Sequence, residues 1–303
     1  MVKPVILYGA DVWGIDEILK MRQNHSLDIL KDKYVYENIH TTFCKQILRL
    51  PKRSSNIAVK LELGRIPIII NVIISVTKIF SRLESMSDDR LVKQIYNVTK
   101  CTRYSINKTV NFVCNFLDID KDNYNLHNER DRQCLTNEVK NSLIVLYDDE
   151  WYTSLNNDER KNCYGNKLRT YRKFKKVNEL EPYLKFETNP ILRTNLTKMR
   201  ISAHTLKIEQ GRNKKIELSK RICSNCNLGE IEDEAHFLLI CPLYDSDRKQ
   251  LFSDMGLSGT EGIEYLLNAI LQPVTSFYAN IVCKYISKLT YTRKQMFVVN
   301  CDI

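Results

Sequence analysis

Four residues with metal-binding side chains lie close together in the C-terminal half of the sequence. Cys223 and Cys226 form a C-x2-C pair, nine residues separate Cys226 from His236, and four separate His236 from Cys241. A C-x2-C turn lets two thiolates bind one ion, and a second pair one short loop away completes a tetrahedron. Three sulfurs and one imidazole saturate zinc, whereas a catalytic zinc keeps one position open. The spacing therefore predicts a structural Zn2+ site.

The residues between these ligands suit a small metal-held loop. Gly229 can adopt the positive φ that a tight turn between the two halves requires. We expect the residues that follow to bring His236 and Cys241 back on a short helical turn, which Pro242 ends. A structural ion supplies on the order of 10 kcal/mol of folding free energy to a loop that cannot bury a core of its own.

The letters DEAH at 233–236 match the nucleotide-hydrolysis signature of a helicase class. Those enzymes also need a phosphate-binding loop of the form G-x-x-x-x-G-K-[ST], and no glycine in this chain is followed by lysine. The spacing favours His236 as the third metal ligand. We therefore interpret Asp233 and Glu234 as solvated acids or as acids that hydrogen-bond to the ligands.

A second acidic cluster, "LYDDEW", superficially resembles the aromatic-x-Asp-Asp motif of polymerases. Here Tyr147 is followed directly by Asp148 and Asp149, without the intervening residue. The surrounding pattern is helical, whereas the polymerase motif needs a β-turn. We interpret the cluster as an acidic helix face and predict that the chain has no catalytic site.

The net charge of +10 is concentrated in one segment. Residues 160–221 contain 18 Lys and Arg and five Glu, a net of +13, so the remaining chain carries a net of −3. Such a concentration next to a cysteine cluster indicates a polyanionic partner. We expect that partner to be RNA or DNA.

Fourteen side chains of this basic segment are predicted to contact nucleic acid. They are Lys167, Arg169, Arg172, Lys173, Lys175, Lys176, Arg193, Lys198, Arg200, Arg212, Lys214, Lys215, Lys220 and Arg221. Tyr171 and Phe174 lie among them and suit base stacking, although core packing is the alternative for both. His204 follows Arg200 by four residues, so the two can share a helix face that contacts phosphate or is merely solvated. Binding through phosphates predicts poor sequence specificity.

The remaining pattern is mainly α-helical. Only nine glycines and seven prolines occur, and apolar residues recur at steps of three and four, for example over 36–50. We predict a multi-helix array with a small CCHC zinc knuckle inserted before the last helices. The expected divisions are a thumb-like helical region at 1–155, the basic segment at 156–221, the knuckle and its exit helix at 222–255, and C-terminal helices at 256–303.

The sequence shows no export or membrane signal. The longest apolar run, residues 66–80, is interrupted by polar residues and falls short of the ~20 residues that a membrane span needs. The other seven cysteines are scattered singly, which is not typical of a disulfide-rich domain, so we expect reduced thiols. These observations predict an intracellular protein, nuclear or cytoplasmic.

Several stretches resemble the C-terminal region of endonuclease/reverse transcriptases of LINE-type (non-LTR) retrotransposons. They are "KPVILYGADVWG", "IHTTFCKQILRLPKRSSNIAVKLELGRIPI", "KIFSRL", "LTKMRISAHTLKIEQGR", the cysteine cluster and "CPLYDSDR". The resemblance runs in the same order from residue 1 to about 255. Cys223, Cys226, His236 and Cys241 match the ligand pattern of that family, whose knuckle region helps to hold template RNA or target DNA.

The family's endonuclease and polymerase core would precede this region, and nothing in the chain matches their catalytic acids. The resemblance therefore implies a non-catalytic fragment, stabilised by zinc, that binds RNA or single-stranded DNA. A zinc-dependent protein-interaction module without nucleic-acid function is the alternative. The sequence gives no indication of the oligomeric state.

Overall fold

The fold is known from a computed structural model that describes residues 2–24, 27, 34–102, 104–157, 167–186 and 189–299. It is about 68% helical, and these described residues contain no β-strand, so the mainly-α prediction is confirmed. Two isolated antiparallel bridges occur, Leu63 with Leu180 and Ile222 with Ile231. Within the described ranges no single helix is long and apolar enough to cross a membrane. Only the helical segments Ile263–Leu271 and Ser276–Met296 taken together, with a bend of 104° between them, pass that test.

The chain divides into two compact units. The first comprises Met1–Phe43 and Ile66–Tyr152, and the second comprises Cys44–Arg65 and Thr153–Ile303. The second unit thus begins close to the boundary placed after residue 155, but it also takes in a segment from the N-terminal region. It includes the basic segment, the knuckle and the C-terminal helices, which were predicted as three separate divisions.

The first unit is built on the apolar helix α5. Its helices are α1 (Val2–Ile6), α2 (Ala10–Gln23), the greater part of α3 (Val35–Ile47), α5 (Ile68–Ser85), α6 (Leu91–Thr99), α7 (Ile106–Phe116) and most of α8 (Glu129–Asn156). The α5 residues Ile69, Ile73, Val76 and Phe80 recur at steps of three and four, and all are fully buried. This stripe packs against α2 and α7.

A buried carboxylate caps the N-terminus of α5. The Glu37 Oε2 atom accepts a hydrogen bond from the Ile68 backbone N–H at 2.7 Å. Pro67, which precedes the helix, has no side-chain acceptor that can cap it. Glu37 therefore satisfies one of the backbone donors that every helix N-terminus leaves free, and it fixes α3 against α5.

Helix α8 buries one residue in every four. Leu135, Val139, Leu143, Tyr147 and Trp151 are each at most 2% exposed. Tyr147 thus belongs to the buried face of the helix. The stretch that resembled a polymerase motif is helical, as predicted.

The second unit contains the remaining helices and the knuckle. Its helices are α4 (Asn56–Glu62), α9 (Tyr171–Phe174), α10 (Tyr183–Phe186), α11 (Pro190–Arg200), α12 (Lys207–Asn213), α13 (Asp245–Met255), α14 (Ile263–Leu271) and α15 (Ser276–Val299). Helix α15 packs along α11 and α13. Gly64 ends α4 with φ of 57°, and a Cβ there would lie 2.4 Å from the backbone nitrogen of Leu180. Only glycine permits this close approach.

The contact between α2 and α5 yields a test of the first unit. A Cβ on Gly14 would lie 2.3 Å from Val72 Cγ1. We expect Gly14→Ala to lower the free energy of unfolding by about 1–3 kcal/mol, because overpacking outweighs the better helix propensity of alanine. Chemical denaturation measures this.

Val72→Ala supplies the control, because it removes the methyl group that the new Cβ would strike. In that background Gly14→Ala is expected to be less destabilising, a coupling that a double-mutant cycle detects. If Gly14→Ala lowered the free energy of unfolding equally in both backgrounds, the close packing of Gly14 against Val72 would be contradicted.

Candidate metal centre and basic segment

The four predicted ligands come together at one point. One ligand atom each from Cys223, Cys226, His236 and Cys241 lies within 4.8 Å of all the others. The Cys226 Sγ and His236 Nε2 atoms are 3.4 Å apart. Tetrahedral zinc bonds of about 2.3 Å to sulfur and 2.0–2.1 Å to nitrogen place adjacent ligand atoms roughly 3.6 Å apart. The arrangement therefore fits a single four-coordinate metal ion.

A hairpin-like turn positions the first two sulfurs. The Cys223 N–H donates to the Glu230 carbonyl at 2.8 Å, and Ile222 bridges to Ile231. Gly229 has φ of 71°, which confirms the predicted turn. The chain thereby reverses between the C-x2-C pair and the second pair of ligands.

A short π-helix positions the other two ligands. It spans His236–Ile240, and the Cys241 N–H donates to the His236 carbonyl at 2.8 Å. A π-helix closes i→i+5 hydrogen bonds, so residues five apart lie roughly one turn apart and point in similar directions. The Asp233 carboxylate accepts from the His236 N–H at 2.8 Å and caps this turn. The predicted helical turn is confirmed, in its wider π form.

The electrostatics of the site favour a cation. Burial raises the pKa of Cys223 to about 12 and also raises the pKa of Cys241. A divalent ion offsets this effect because it stabilises the thiolates that bind it. His236 Nδ1 lies 3.0 Å from Glu230 Oε2, so the carboxylate holds the Nδ1 proton and leaves Nε2 free to bind the metal.

The knuckle is also packed into the second unit, whereas the sequence suggested a loop without a core. Phe237 and Leu238 are fully buried, and the Phe237 ring meets the Tyr244 ring edge-on at 5.1 Å. Glu232 is buried and accepts two hydrogen bonds of 2.7 Å from Arg293 of α15. A metal ion bound to the four ligands would therefore stabilise the same structure that this packing stabilises.

Glu234 of the DEAH stretch is a structural residue, and its interpretation as a solvated acid is corrected. It is 1% exposed. Its carboxylate accepts from Arg169 Nη2 at 2.6 Å, lies 2.9 Å from His204 Nε2, and also accepts from two hydroxyl groups. Burial pushes the pKa of Glu234 upward, but Arg169 and His204 outweigh it, so the pKa lies below its usual range. The stabilisation is complete at neutral pH and is lost as the pH falls through the ordinary glutamate range toward that lowered value.

His204 is therefore not at a solvated edge. Its side chain is 6% exposed, and its Nε2 atom faces Glu234. His204 and Arg200 contact different carboxylates inside the second unit, so the shared phosphate-binding face suggested by their spacing is not formed.

Arg200 is the most deeply enclosed cation of the basic segment, and its predicted role in nucleic-acid contact is corrected. It is 0% exposed, and its guanidinium binds the buried Glu62 at 3.0–3.2 Å. The rings of Phe174 and Tyr183 lie 4.6 and 5.1 Å from its Cζ atom. Such a group cannot reach a phosphate, and its charge serves the core of the second unit.

Other predicted contact residues are also engaged internally. Lys175 is buried in an ion pair with Glu181, and Arg221 is buried and donates to the Ile208 and Ile216 carbonyls. Arg169 and Arg212 both bind the buried Glu209, the latter at 2.8 Å. The predictions for Lys175 and Arg221 are corrected because their side chains are inaccessible, whereas Arg169 and Arg212 remain partly exposed.

The remaining nine predicted residues are accessible. Exposed are Lys173, Lys176, Lys214, Lys215 and Lys220, and partly exposed are Lys167, Arg172, Arg193 and Lys198. Tyr171 and Phe174 are buried and meet edge-on at 5.4 Å. Core packing, not base stacking, is therefore the role of these two rings.

Sequence reasoning missed the carboxylates that organise the site. Glu62 lies 138 residues before its partner Arg200, and no local pattern indicates that pairing. Glu230 was detectable in principle, because it is an acid in the loop that carries the ligands.

No protein-family model, no curated protein and no solved structure matches this chain.

Removal of one ligand tests the metal centre through the midpoint of thermal unfolding. We expect Cys226→Ser to lower the midpoint of thermal unfolding by roughly 10 °C or more, because a loss of about 4 kcal/mol has that effect in a protein of this size. A strong chelator should lower the wild-type midpoint in the same way and leave the variant unchanged. Cys134→Ser, at an exposed cysteine, serves as the control and should remain sensitive to the chelator. A wild-type midpoint unaffected by chelator would contradict the metal centre.

A substitution of Glu234 tests whether this acid of the DEAH stretch has a structural role or a role in nucleotide hydrolysis. Glu234→Gln leaves Arg169 without its full counter-charge, so we expect a loss of about 3–5 kcal/mol in unfolding free energy. Glu264→Gln removes an exposed acid that lies 3.5 Å from Lys173, and should change it by at most about 1 kcal/mol. An acid that served only nucleotide hydrolysis would leave the stability of the Glu234 variant at the wild-type level.

Proposed function

We propose that the bound metal is zinc and that its role is structural. Three sulfurs and one imidazole nitrogen in a tetrahedral arrangement are typical of zinc. Four protein ligands complete the coordination sphere, which leaves no position for a substrate. The ion would hold the turn at Gly229 against the π-helix.

We propose further that the chain is a non-catalytic module that binds single-stranded RNA or DNA. The observation that carries this proposal is the sorting of charge in the basic segment. The acids Glu181 and Glu209 neutralise cations that are engaged internally. The accessible cations listed above outnumber the exposed acids of the segment's described residues, which are Glu179 and Glu217. A polyanion binds such a surface by neutralising it and releasing its own counterions.

The form of binding follows from which groups are accessible. Exposed lysines contact phosphates, and phosphate contacts carry no base information. The two aromatic residues suited to stacking are buried. We therefore propose binding with little sequence preference and a strong dependence on salt concentration.

The relation to LINE-type reverse transcriptases is part of the proposal. Its support is the ordered set of similar stretches from residue 1 to about 255 and the matching ligand pattern. In that family the knuckle region helps to hold RNA or target DNA, which agrees with the role proposed for the basic segment. The catalytic acids of the family have no counterpart in the sequence.

Fluorescence anisotropy with a labelled single-stranded oligonucleotide tests the binding function. Between ~50 and ~200 mM salt the wild-type affinity should fall steeply. Lys214→Gln with Lys215→Gln should weaken binding and reduce the slope of log K against log salt by about 1.4, since each single-strand phosphate contact contributes about 0.7. Lys249→Gln with Lys284→Gln, at exposed lysines outside the segment, is the matched control. An affinity independent of salt would refute nucleic-acid binding.

The protein-interaction alternative has one supporting observation of its own. Helix α6 exposes four apolar side chains, Leu91, Val92, Ile95 and Val98, each by more than half. Monomeric proteins seldom expose such a contiguous apolar face without an interaction role. If the charge variants left oligonucleotide affinity unchanged, the interaction function would become the better account.

A further inference from the structure

A basic cleft of about 420 Å3 lies within the second unit. It is bounded by residues 51–54, the C-terminal half of α11, α12 and the end of α15. Among the described residues, five cationic side chains line it, namely Arg53, Lys167, Lys198, Arg212 and Lys294. The one carboxylate among these described lining residues is that of Glu209, which already binds Arg169 and Arg212. The cleft therefore presents a strong excess of positive charge.

The lysines of the cleft are crowded by other cations. Burial lowers the pKa of Lys167, and the nearby Arg212, Lys45 and Arg53 lower it further. Burial likewise lowers the pKa of Lys198, and Lys294 adds to the effect. An anion placed between these groups would relieve their mutual repulsion and would be bound correspondingly well.

A buried hydroxyl provides an independent indication of a ligand. Ser54 lines the cleft and is 4% exposed, and its Oγ atom has no hydrogen-bond partner among the residues that the structure describes. A buried polar group without a partner is destabilising, so such groups are rare in folded proteins. A ligand oxygen in the cleft could accept the hydrogen bond that Ser54 can donate.

We propose that this cleft binds the phosphodiester backbone of a nucleic-acid strand, an inference that rests on the function proposed above. Ser54 donates to a phosphate oxygen, and Lys198 and Lys294 neutralise the phosphate from α11 and α15. The volume lies in the range of small-ligand pockets and suits about one nucleotide unit. A strand is favoured over a free nucleotide because Asn213 lines the cleft and the exposed Lys214 and Lys215 follow it directly.

Ser54, Arg53 and Lys294 lie outside the segment 160–221. The proposal therefore assigns to nucleic-acid binding residues that the charge distribution along the chain does not indicate. They meet the basic segment only through the fold of the second unit.

The test compares cleft variants of the full chain with a matched control, using oligonucleotide affinity at several salt concentrations. Lys198→Gln with Lys294→Gln should weaken binding at least tenfold at low salt and reduce the salt slope by about 1.4. Lys284→Gln lies on the same helix as Lys294 but outside the cleft, and should bind as the wild type does. If the double variant kept the wild-type affinity and the wild-type slope of log K against log salt, the proposal would be overturned.

Ser54→Ala separates a ligand contact from a structural role. Because the described part of the chain offers this hydroxyl no hydrogen-bond partner, its removal should leave the midpoint of thermal unfolding unchanged or raise it. Oligonucleotide affinity should fall roughly threefold to tenfold. A lower midpoint together with unchanged affinity would assign Ser54 to the fold alone and contradict its proposed contact.

The outcomes also distinguish the cleft from the general function. If the cleft variants bind normally while Lys214→Gln with Lys215→Gln binds weakly, the cleft assignment fails and nucleic-acid binding stands. If the wild type binds no oligonucleotide, both the cleft assignment and the nucleic-acid-binding function fail.

Uridine monophosphate serves as a competitor in the same assay. Displacement of the oligonucleotide at equal phosphate concentration would indicate a nucleotide site instead of a strand site.

Discussion

The convergence of three cysteine sulfurs and one imidazole on a single point is the constraint on which the second unit depends. Sulfur anions are costly to bury alone, and a bound cation makes that burial favourable. The loop that carries them is fixed at both ends, by the turn at Gly229 and by the π-helix that begins at His236. Between those ends it presents the carboxylates of Glu232 and Glu234 to the rest of the unit. Long-range ion pairs and a metal ion bound to the four ligands would therefore stabilise the same short stretch of chain.

These two carboxylates explain how a highly basic segment can fold. Glu234 binds Arg169, and Glu232 binds both Arg293 and the backbone N–H of Lys207. The segment is thereby held against the knuckle through Arg169 and the backbone of Lys207. The buried cations stabilise the unit, and the exposed cations lie at the surface, where we propose that they meet a polyanion.

The local features of this protein could be predicted from the sequence, because short-range spacing determines them. The C-x2-C pair and the positions of His236 and Cys241 identified the four residues that the structure brings together, and steps of three and four indicated the helices. The roles of individual cations could not be predicted in this way. Whether an arginine faces a phosphate or a buried glutamate depends on partners such as Glu62, far away in the sequence. For the same reason the cleft residues Ser54 and Lys294 gave no signal.

X-ray absorption at the zinc edge, combined with metal analysis of the purified protein, determines whether the four residues hold zinc. We expect one zinc per chain, with three sulfur neighbours near 2.3 Å and one nitrogen near 2.0–2.1 Å. A protein that is fully folded without any metal, or an ion surrounded by oxygen and nitrogen alone, would contradict it.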